Sequence, residues 1–302
     1  NRRNRCVTDF FEPGSVFKIV TASALLEKNL IGLNDMIFCE NGEYPVRGHI
    51  LHDHRPHGNL SFQEVIEQSS NIGTIKAATR LKDADMYNYS KAFGFGSATG
   101  IEIPGEVEGV LRPVKYWSKT SMTAIPMGHE LTVTSLQLAD SIYVIANGGV
   151  LMKPFIIKKI INEDGEVLKE VEPQKVQAVI SSKTSATMRK VLYGVVERGT
   201  GKKALMSDYT CGGKTGTAQK VEPNGTFSHS KFVATFIGFA PVDNPRIAMA
   251  ISFDEPHPVY FGGDVAAPVF REICDQTLRY LGVPPDKHGK IDNLVYSTQM
   301  CD

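Results

Sequence analysis

Ser15 and Lys18 lie three residues apart in Pro13-Gly14-Ser15-Val16-Phe17-Lys18, at the head of a long apolar run. On a helix that spacing puts both side chains on one face, about one turn apart. A serine hydroxyl is a poor nucleophile until a neighbouring base takes its proton. A lysine can be that base if its pKa is pulled far down, and burial or a second nearby cation does this. The pair therefore points to acyl transfer, with Ser15 attacking a carbonyl carbon. The N-terminus of the same helix also offers backbone N–H groups where negative charge develops on that carbonyl. An isolated S-x-x-K is better read as a helix cap followed by a solvated lysine, so its company decides.

Two further elements supply that company. Ser69-Ser70-Asn71 falls at a break between two helical stretches, and Lys214-Thr215-Gly216-Thr217-Ala218-Gln219 opens a strand and brings a second cation. S-x-x-K combined with K-T-G is a documented pairing in serine β-lactamases and penicillin-binding proteins. The stretches Glu12 to Lys18, Gln68 to Gly73 and Gly213 to Gln219 resemble class B penicillin-binding proteins, nearest to the division (septal) type and its sporulation relatives. Secondary matches agree: Thr99-Gly100-Ile101 through Pro104-Gly105-Glu106, Gln137-Leu138-Ala139, and Tyr260-Phe261-Gly262-Gly263 with Ala266-Ala267-Pro268-Val269-Phe270.

The resemblance implies a peptidoglycan D,D-transpeptidase that β-lactams acylate and inhibit. It implies that Ser15 is acylated by a D-Ala-D-Ala stem peptide and that Lys18 accepts the serine proton. Ser69 would relay a proton to the leaving amine, and Asn71 would hold the substrate amide and Lys18 in register. Lys214 would attract the terminal carboxylate and keep the Lys18 pKa low. Thr215 and Thr217 would hydrogen-bond that carboxylate, with Gly216 between them in the substrate site. The N–H groups of Ser15 and Thr217 would form the oxyanion hole, and Tyr260 and Phe261 would wall the pocket. An acceptor amine from a neighbouring stem peptide would then form the cross-link. No cofactor or metal is implied. The expected setting is the extracytoplasmic face of a bacterial membrane, with division-complex membrane proteins met through an N-terminal region outside this chain.

The elements that must position these groups follow from local patterns. Gly14 to Leu30 reads as one helix, apolar on nearly every face and hence buried. Residues 31–60, rich in Gly, His, Pro and Asn, read as irregular. Ser61 to Glu64 is a capping box that starts a helix, and Ile72 to Leu81 continues beyond the S-x-N break. Residues 94–126 read mostly as loop. Thr134 to Asn147 and Ser182 to Arg198 are helices that stop at glycines. Strands are expected at Lys214 to Val221, Phe232 to Ala240 and Arg246 to Phe253, with turns at Pro223-Asn224-Gly225 and Asp243-Asn244-Pro245. A closing helix, Pro268 to Leu281, has proline near its first turn. The class is α+β: an antiparallel β-sheet flanked by helices, of the serine β-lactamase and penicillin-binding-protein transpeptidase type. It reads as one domain, 1–302, with a helical part (about 14–200) and a sheet part (about 209–282). In the resembled family the sheet has five strands, some preceding the S-x-x-K helix. This chain begins only a few residues before Ser15, so those strands are expected to lie outside it.

Composition sets the outer bounds. The 302 residues are 42% apolar and 22% charged, enough for a sizeable core. Lys plus Arg and Asp plus Glu both number 33, so no net field argues for nucleic acid. No apolar run approaches the ~20 residues that span a bilayer. The start at Asn1 rather than Met reads as the middle of a longer gene product. Five scattered cysteines, Cys6, Cys39, Cys211, Cys274 and Cys301, make no C-x-x-C pair and read as buried free thiols. His49, His52, Asp53, His54 and His57, with Cys39 upstream, have a spacing that could suit a metal; solvated loop histidines are the preferred reading. The resemblance implies that the segment holding His129-Glu130 is structural. Two rival functions remain in view. A serine β-lactamase shares the motifs, but Glu-x-x-Leu-Asn is absent and the middle motif is Ser-Ser-Asn rather than Ser-Asp-Asn. A non-catalytic β-lactam sensor or division scaffold is disfavoured by the intact motif set.

Overall fold

The period-two stretch after Tyr209 forms a three-stranded antiparallel sheet in a computed structural model that describes residues 3–46, 48–222 and 226–287. The K-T-G strand (Gly212–Val221) is at one edge, Phe227–Ala240 is in the middle, and Ile247–Asp254 is at the other edge. Lys214 pairs with Ile237 and Thr217 with Ala234. Arg246 N donates to Ala240 O across the expected turn at 243–245. The other expected turn, Pro223-Asn224-Gly225, and Cys301 lie outside the described residues; of the other cysteines, Cys39, Cys211 and Cys274 are buried as expected, and Cys6, near the start of the described chain, is exposed.

Alternation sorts the sheet's side chains into two cores. Ile237, Phe239, Ala248 and Ala250 join the large helical core on one face. Phe236, Ala240, Ile247 and Met249 meet the C-terminal helix on the other, where the Phe236 and Phe270 rings lie 4.9 Å apart. A strand covered on both faces reads as continuously apolar, which is the case for Phe232 to Ala240. The helices Ser135–Ala146 and Ser182–Glu197 cover the first face. The helix Gly262–Tyr280 covers the second.

The last helix starts earlier than expected, at Gly262, so Pro268 is inside it. Contact with the sheet sets that start. A Cβ on Gly262 would lie 2.3 Å from the carbonyl oxygens of both Gly216 and Thr235, so only glycine lets the helix begin there.

The expected helix Gly14 to Leu30 is divided into a 3₁₀ turn, Gly14–Phe17, and an α-helix, Lys18–Glu27. Asn29, with φ of +54°, ends it. Val16, Phe17, Ile19, Val20, Ala22, Ala24 and Leu25 are buried, as a helix apolar all round requires. The capping box at Ser61 is formed in both directions and opens Phe62–Glu67; the next helix, Asn71–Ala78, has Ser70 as its N-cap.

Residues 31–60 depart from the irregular reading. They hold two small antiparallel pairs, Met36–Phe38 with Asn59–Ser61 and Glu43–Val46 with His49–His52. Strands of three or four residues are too short to show a period. The helix Asp83–Ala92 also had no clear signal, because only Met86 and Ser90 of its residues are buried. Residues 94–126 are loop with three short 3₁₀ turns, as expected.

The S-x-N break depends on close packing of the helices either side of it. A Cβ on Gly73 would sit 2.6 Å and 2.9 Å from the two methyls of Val65 and 3.1 Å from Cys39 Sγ. Gly73→Ala is expected to cost about 1–3 kcal/mol through overpacking, read as a lower urea midpoint at unchanged m-value. An unchanged midpoint would mean that the two helices slide apart freely.

Candidate active site

Ser15 is carried on a turn clamped from two sides. Gly14 adopts φ of +56° and its N–H donates to Gly128 O at 3.0 Å. A Cβ on Gly128 would meet Gly14 O at 2.1 Å. On the other side a Cβ on Gly216 would lie 2.9 Å from Val16 Cγ1 and 3.1 Å from Pro13 O. The glycine of K-T-G is therefore where the edge strand and the serine turn touch. Upstream, the Glu12 carboxylate accepts from His129 Nδ1 at 2.8 Å and from Glu130 N at 3.0 Å. His129 thus fastens this turn, in keeping with its structural reading.

Lys18 and Lys214 are both fully buried. Lys18 Nζ donates to Ser69 O at 2.7 Å and Asn71 Oδ1 at 2.8 Å, with Ser69 Oγ at 3.4 Å. Lys214 Nζ donates to the same Ser69 Oγ at 2.7 Å and to Thr215 O at 3.3 Å. One hydroxyl thus sits between two amines that come from a helix and from a strand. The Ser15 side chain makes no hydrogen bond among the described residues. Its expected bond to Lys18 is not formed, because the Lys18 amine is turned to the S-x-N segment; catalytic hydrogen bonds of this kind often tighten only with substrate in place.

Burial pulls the Lys18 amine down to about 7, against the Asp53 carboxylate, which favours its charged form. Burial also holds Lys214 well below the ordinary lysine value, and repulsion from Lys18 adds to this. Burial and a second cation, Lys214, were both expected to lower the Lys18 value; burial is the cause that does so.

The remaining expected residues line the same region. The Thr215 hydroxyl lies 2.7 Å from that of Thr200, and Thr217 Oγ1 accepts from Gly262 N at 3.1 Å. Both threonines face the start of the C-terminal helix, since a Cβ on Gly263 would lie 3.4 Å from Thr215 Cγ2. Tyr260 stacks on Phe232, with centroids 4.1 Å apart, and touches Phe261. Phe261 meets the His54 ring edge-on. Together these rings form a continuous aromatic edge from the sheet to the histidine-rich segment. Ser69 has φ of +60°, left-handed backbone that a non-glycine residue adopts at a cost. It is held there by Ser69 N to Ile66 O and Ser70 N to Val65 O.

Two groups beside the site were not expected there: Asp53 had been read only among possible metal ligands, and Glu67 only as part of a helix. Asp53 accepts hydrogen bonds from Ser70 and from the backbone of Asn71 and Ile72. Glu67, buried, is gripped by Arg198, whose Nε and Nη2 lie 2.8 Å and 2.5 Å from its oxygens. Thr200 N then donates to Glu67 O at 3.2 Å, which links the S-x-N helix through Thr200 to Thr215. An acid one turn before S-x-N was the available signal for Glu67, but its partner is 131 residues away in sequence. Among the described residues no group of three or more His, Cys, Asp or Glu is placed to hold a metal ion.

The family model described as the penicillin binding protein transpeptidase domain matches residues 1–275. The chain belongs to this transpeptidase-domain family of penicillin-binding proteins. It is 37% identical over 290 residues to stage V sporulation protein D of Bacillus subtilis, covering 95% of this chain and 45% of that protein. To the probable peptidoglycan D,D-transpeptidase PenA of Neisseria flavescens it is 33% identical over 288 residues, covering 95% of this chain and 68% of the relative. Among solved structures it superposes on penicillin-binding protein 3 of Mycobacterium tuberculosis, complexed with aztreonam. The TM-score is 0.87 at 35% identity, covering 93% of this chain and 65% of that one. The chain thus spans less than half of the sporulation protein it matches. The helix-flanked antiparallel sheet agrees with the fold read from the sequence.

The two dry lysines leave a signature in stability. Lys18 binds its proton only below about 7 in the fold, but up to its ordinary value near 10.5 once unfolded. Between those limits unfolding takes up a proton, so stability rises with pH. Below about 7 both states are protonated and the burial penalty is complete. The slope is at most about 1.4 kcal/mol per pH unit for one group. Urea unfolding from pH 7 to 10 should show this rise, and Lys18→Met should make it shallower, leaving the part that Lys214 contributes. An identical slope in the variant would contradict the assignment.

Proposed function

We propose that this domain is a peptidoglycan D,D-transpeptidase working through an acyl-Ser15 intermediate. The observation that carries the reading is the convergence of two fully buried lysines on Ser69 Oγ beside the serine turn. A lysine brought down to about 7 can be neutral near neutral pH, which suits it to take the Ser15 proton. Ser15 Oγ then bonds to the penultimate D-Ala carbonyl carbon, and the peptide C–N bond to the terminal D-Ala breaks. Ser69, donor and acceptor between Lys18 and Lys214, is suited to pass the proton to the leaving amine. The N–H groups of Ser15 and Thr217 are assigned to the oxyanion. Lys214, Thr215 and Thr217 are assigned to the terminal carboxylate, with the Tyr260 and Phe261 edge as the pocket wall. An acceptor amine attacks the acyl-enzyme in the second half, and Ser15 recovers its proton.

A β-lactam would enter by the same first step. Its leaving nitrogen stays tethered, so the adduct persists. The name of the Neisseria flavescens relative and the aztreonam complex of the Mycobacterium tuberculosis structure support the reading. The peptidoglycan D,D-transpeptidase named in the Neisseria flavescens relative supports a place in cell-wall synthesis, which we assign to the extracytoplasmic side of the membrane. There, division-complex membrane proteins would be met through segments outside this chain. Among the described residues no helix is long and apolar enough to cross a membrane.

Mass spectrometry after incubation with a penicillin should find one adduct, on the peptide bearing Ser15, and none in Ser15→Ala. The adduct should last far longer than a catalytic turnover; rapid release of hydrolysed drug would point instead to a β-lactamase. The acylation rate should fall as pH drops through about 7, where Lys18 takes up its proton. A rate flat from pH 5 to 8 would remove Lys18 from the role of base.

A further inference from the structure

The segment 31–60 reaches the Lys18 side of the site through the dipeptide His52-Asp53. Asp53 Oδ2 accepts from Ser70 Oγ at 2.6 Å. Asp53 Oδ1 accepts from the backbone of Asn71 at 2.5 Å and of Ile72 at 3.0 Å. His52 O accepts from Asn71 Nδ2 at 2.9 Å. Helix capping alone does not account for this arrangement. The helix Asn71–Ala78 already has an N-cap in Ser70, whose Oγ accepts from Gly73 N at 2.9 Å. The additional acid holds the first two backbone N–H groups of the helix and also orients the hydroxyl that caps it.

The effect reaches Lys18 through Asn71. A primary amide has a donor end and an acceptor end. With Nδ2 held on the His52 carbonyl, Oδ1 is left to face the Lys18 amine at 2.8 Å. The backbone at Ser69–Ser70, set by the same contacts, aims Ser69 O at that amine as well. Charge adds a second effect. The charged groups facing Lys18 are Lys214 from the K-T-G strand and Asp53 from the 31–60 segment, while Ser69 and Asn71 are uncharged. Burial favours the neutral amine, and the Asp53 carboxylate, without touching it, favours the protonated form.

We infer that Asp53 is a positioning residue for acylation, fixing through Ser70, Asn71 and the adjoining His52 carbonyl the acceptors that aim the Lys18 amine. The inference rests on Lys18 being the base for Ser15. It gives the short strand pair His49–His52 with Glu43–Val46 a purpose, as the support that brings this dipeptide to the helix start.

The test is the second-order rate of acylation by benzylpenicillin against pH in the wild type, Asp53→Asn and Asp53→Glu. Each protein is first checked for folding by circular dichroism. Asparagine keeps the shape and loses the charge. Its plateau rate should fall about tenfold or more, and the midpoint of its acid limb should move to lower pH, because removing a carboxylate near an amine lowers the amine's pKa. Asp53→Glu keeps the charge and should keep the wild-type midpoint, whatever happens to its plateau. An Asp53→Asn protein with unchanged plateau and midpoint overturns the inference. So does a lower plateau with an unmoved midpoint and a lower melting temperature, which would make Asp53 a helix cap and nothing more. A Glu variant whose midpoint shifts as far as that of the Asn variant overturns it too. Labelling of Ser15→Ala in the same assay would be a different failure, that of the acyl-Ser15 reading itself.

Discussion

Taking a lysine amine out of water is costly unless it gives up its proton or finds acceptors, and this site does so twice within reach of one serine. Ser69 Oγ accepts from Lys214 and lies beside Lys18, while Asn71 Oδ1 and Ser69 O hold Lys18 directly. Every neighbouring element bears on that arrangement. The helix of Lys18 is apolar on all faces, so its amine has no route to solvent along its own element. The K-T-G strand brings Lys214 in from the sheet. The break between Phe62–Glu67 and Asn71–Ala78 supplies the oxygens.

Because the amines come from separate elements, the site depends on how closely those elements approach. Glycine supplies the approach at each junction: Gly128 under the serine turn, Gly216 against Val16 and Pro13, and Gly262 over the carbonyls of Gly216 and Thr235. Two part-buried polar contacts then lock the distances. Glu67 with Arg198 ties the S-x-N side to the end of Ser182–Glu197. Thr200 with Thr215 carries that tie to the K-T-G strand. A buried acid that lost its arginine would be left as an uncompensated charge, so this junction is held tightly.

Much of this was legible before any coordinates. Ser15, Lys18, Ser69, Asn71 and Lys214 were named from short motifs, and the structure brings Lys18, Ser69, Asn71 and Lys214 into hydrogen-bond contact, with the Ser15 turn packed against Gly216. The three strands were legible because alternation and turn residues are local signals. What escaped was non-local or too short. The strand pairs within 31–60 have three or four residues each and no room for a period. Asp53 looked like one ligand among histidines, because its partners Ser70, Asn71 and Ile72 come from a helix start that the sequence does not connect to it. The early start of the last helix was hidden because proline is a strong local sign of a first turn. Contact with Thr235 and Gly216, remote in sequence, sets the start instead.

The left-handed backbone at Ser69 also restricts which residues can replace it. Threonine carries the same hydroxyl, yet its branched Cβ resists a φ of +60°. Chemistry alone would treat the two as interchangeable here. The turn does not, so the hydroxyl between the two amines is protected from its nearest chemical substitute by the shape of the main chain.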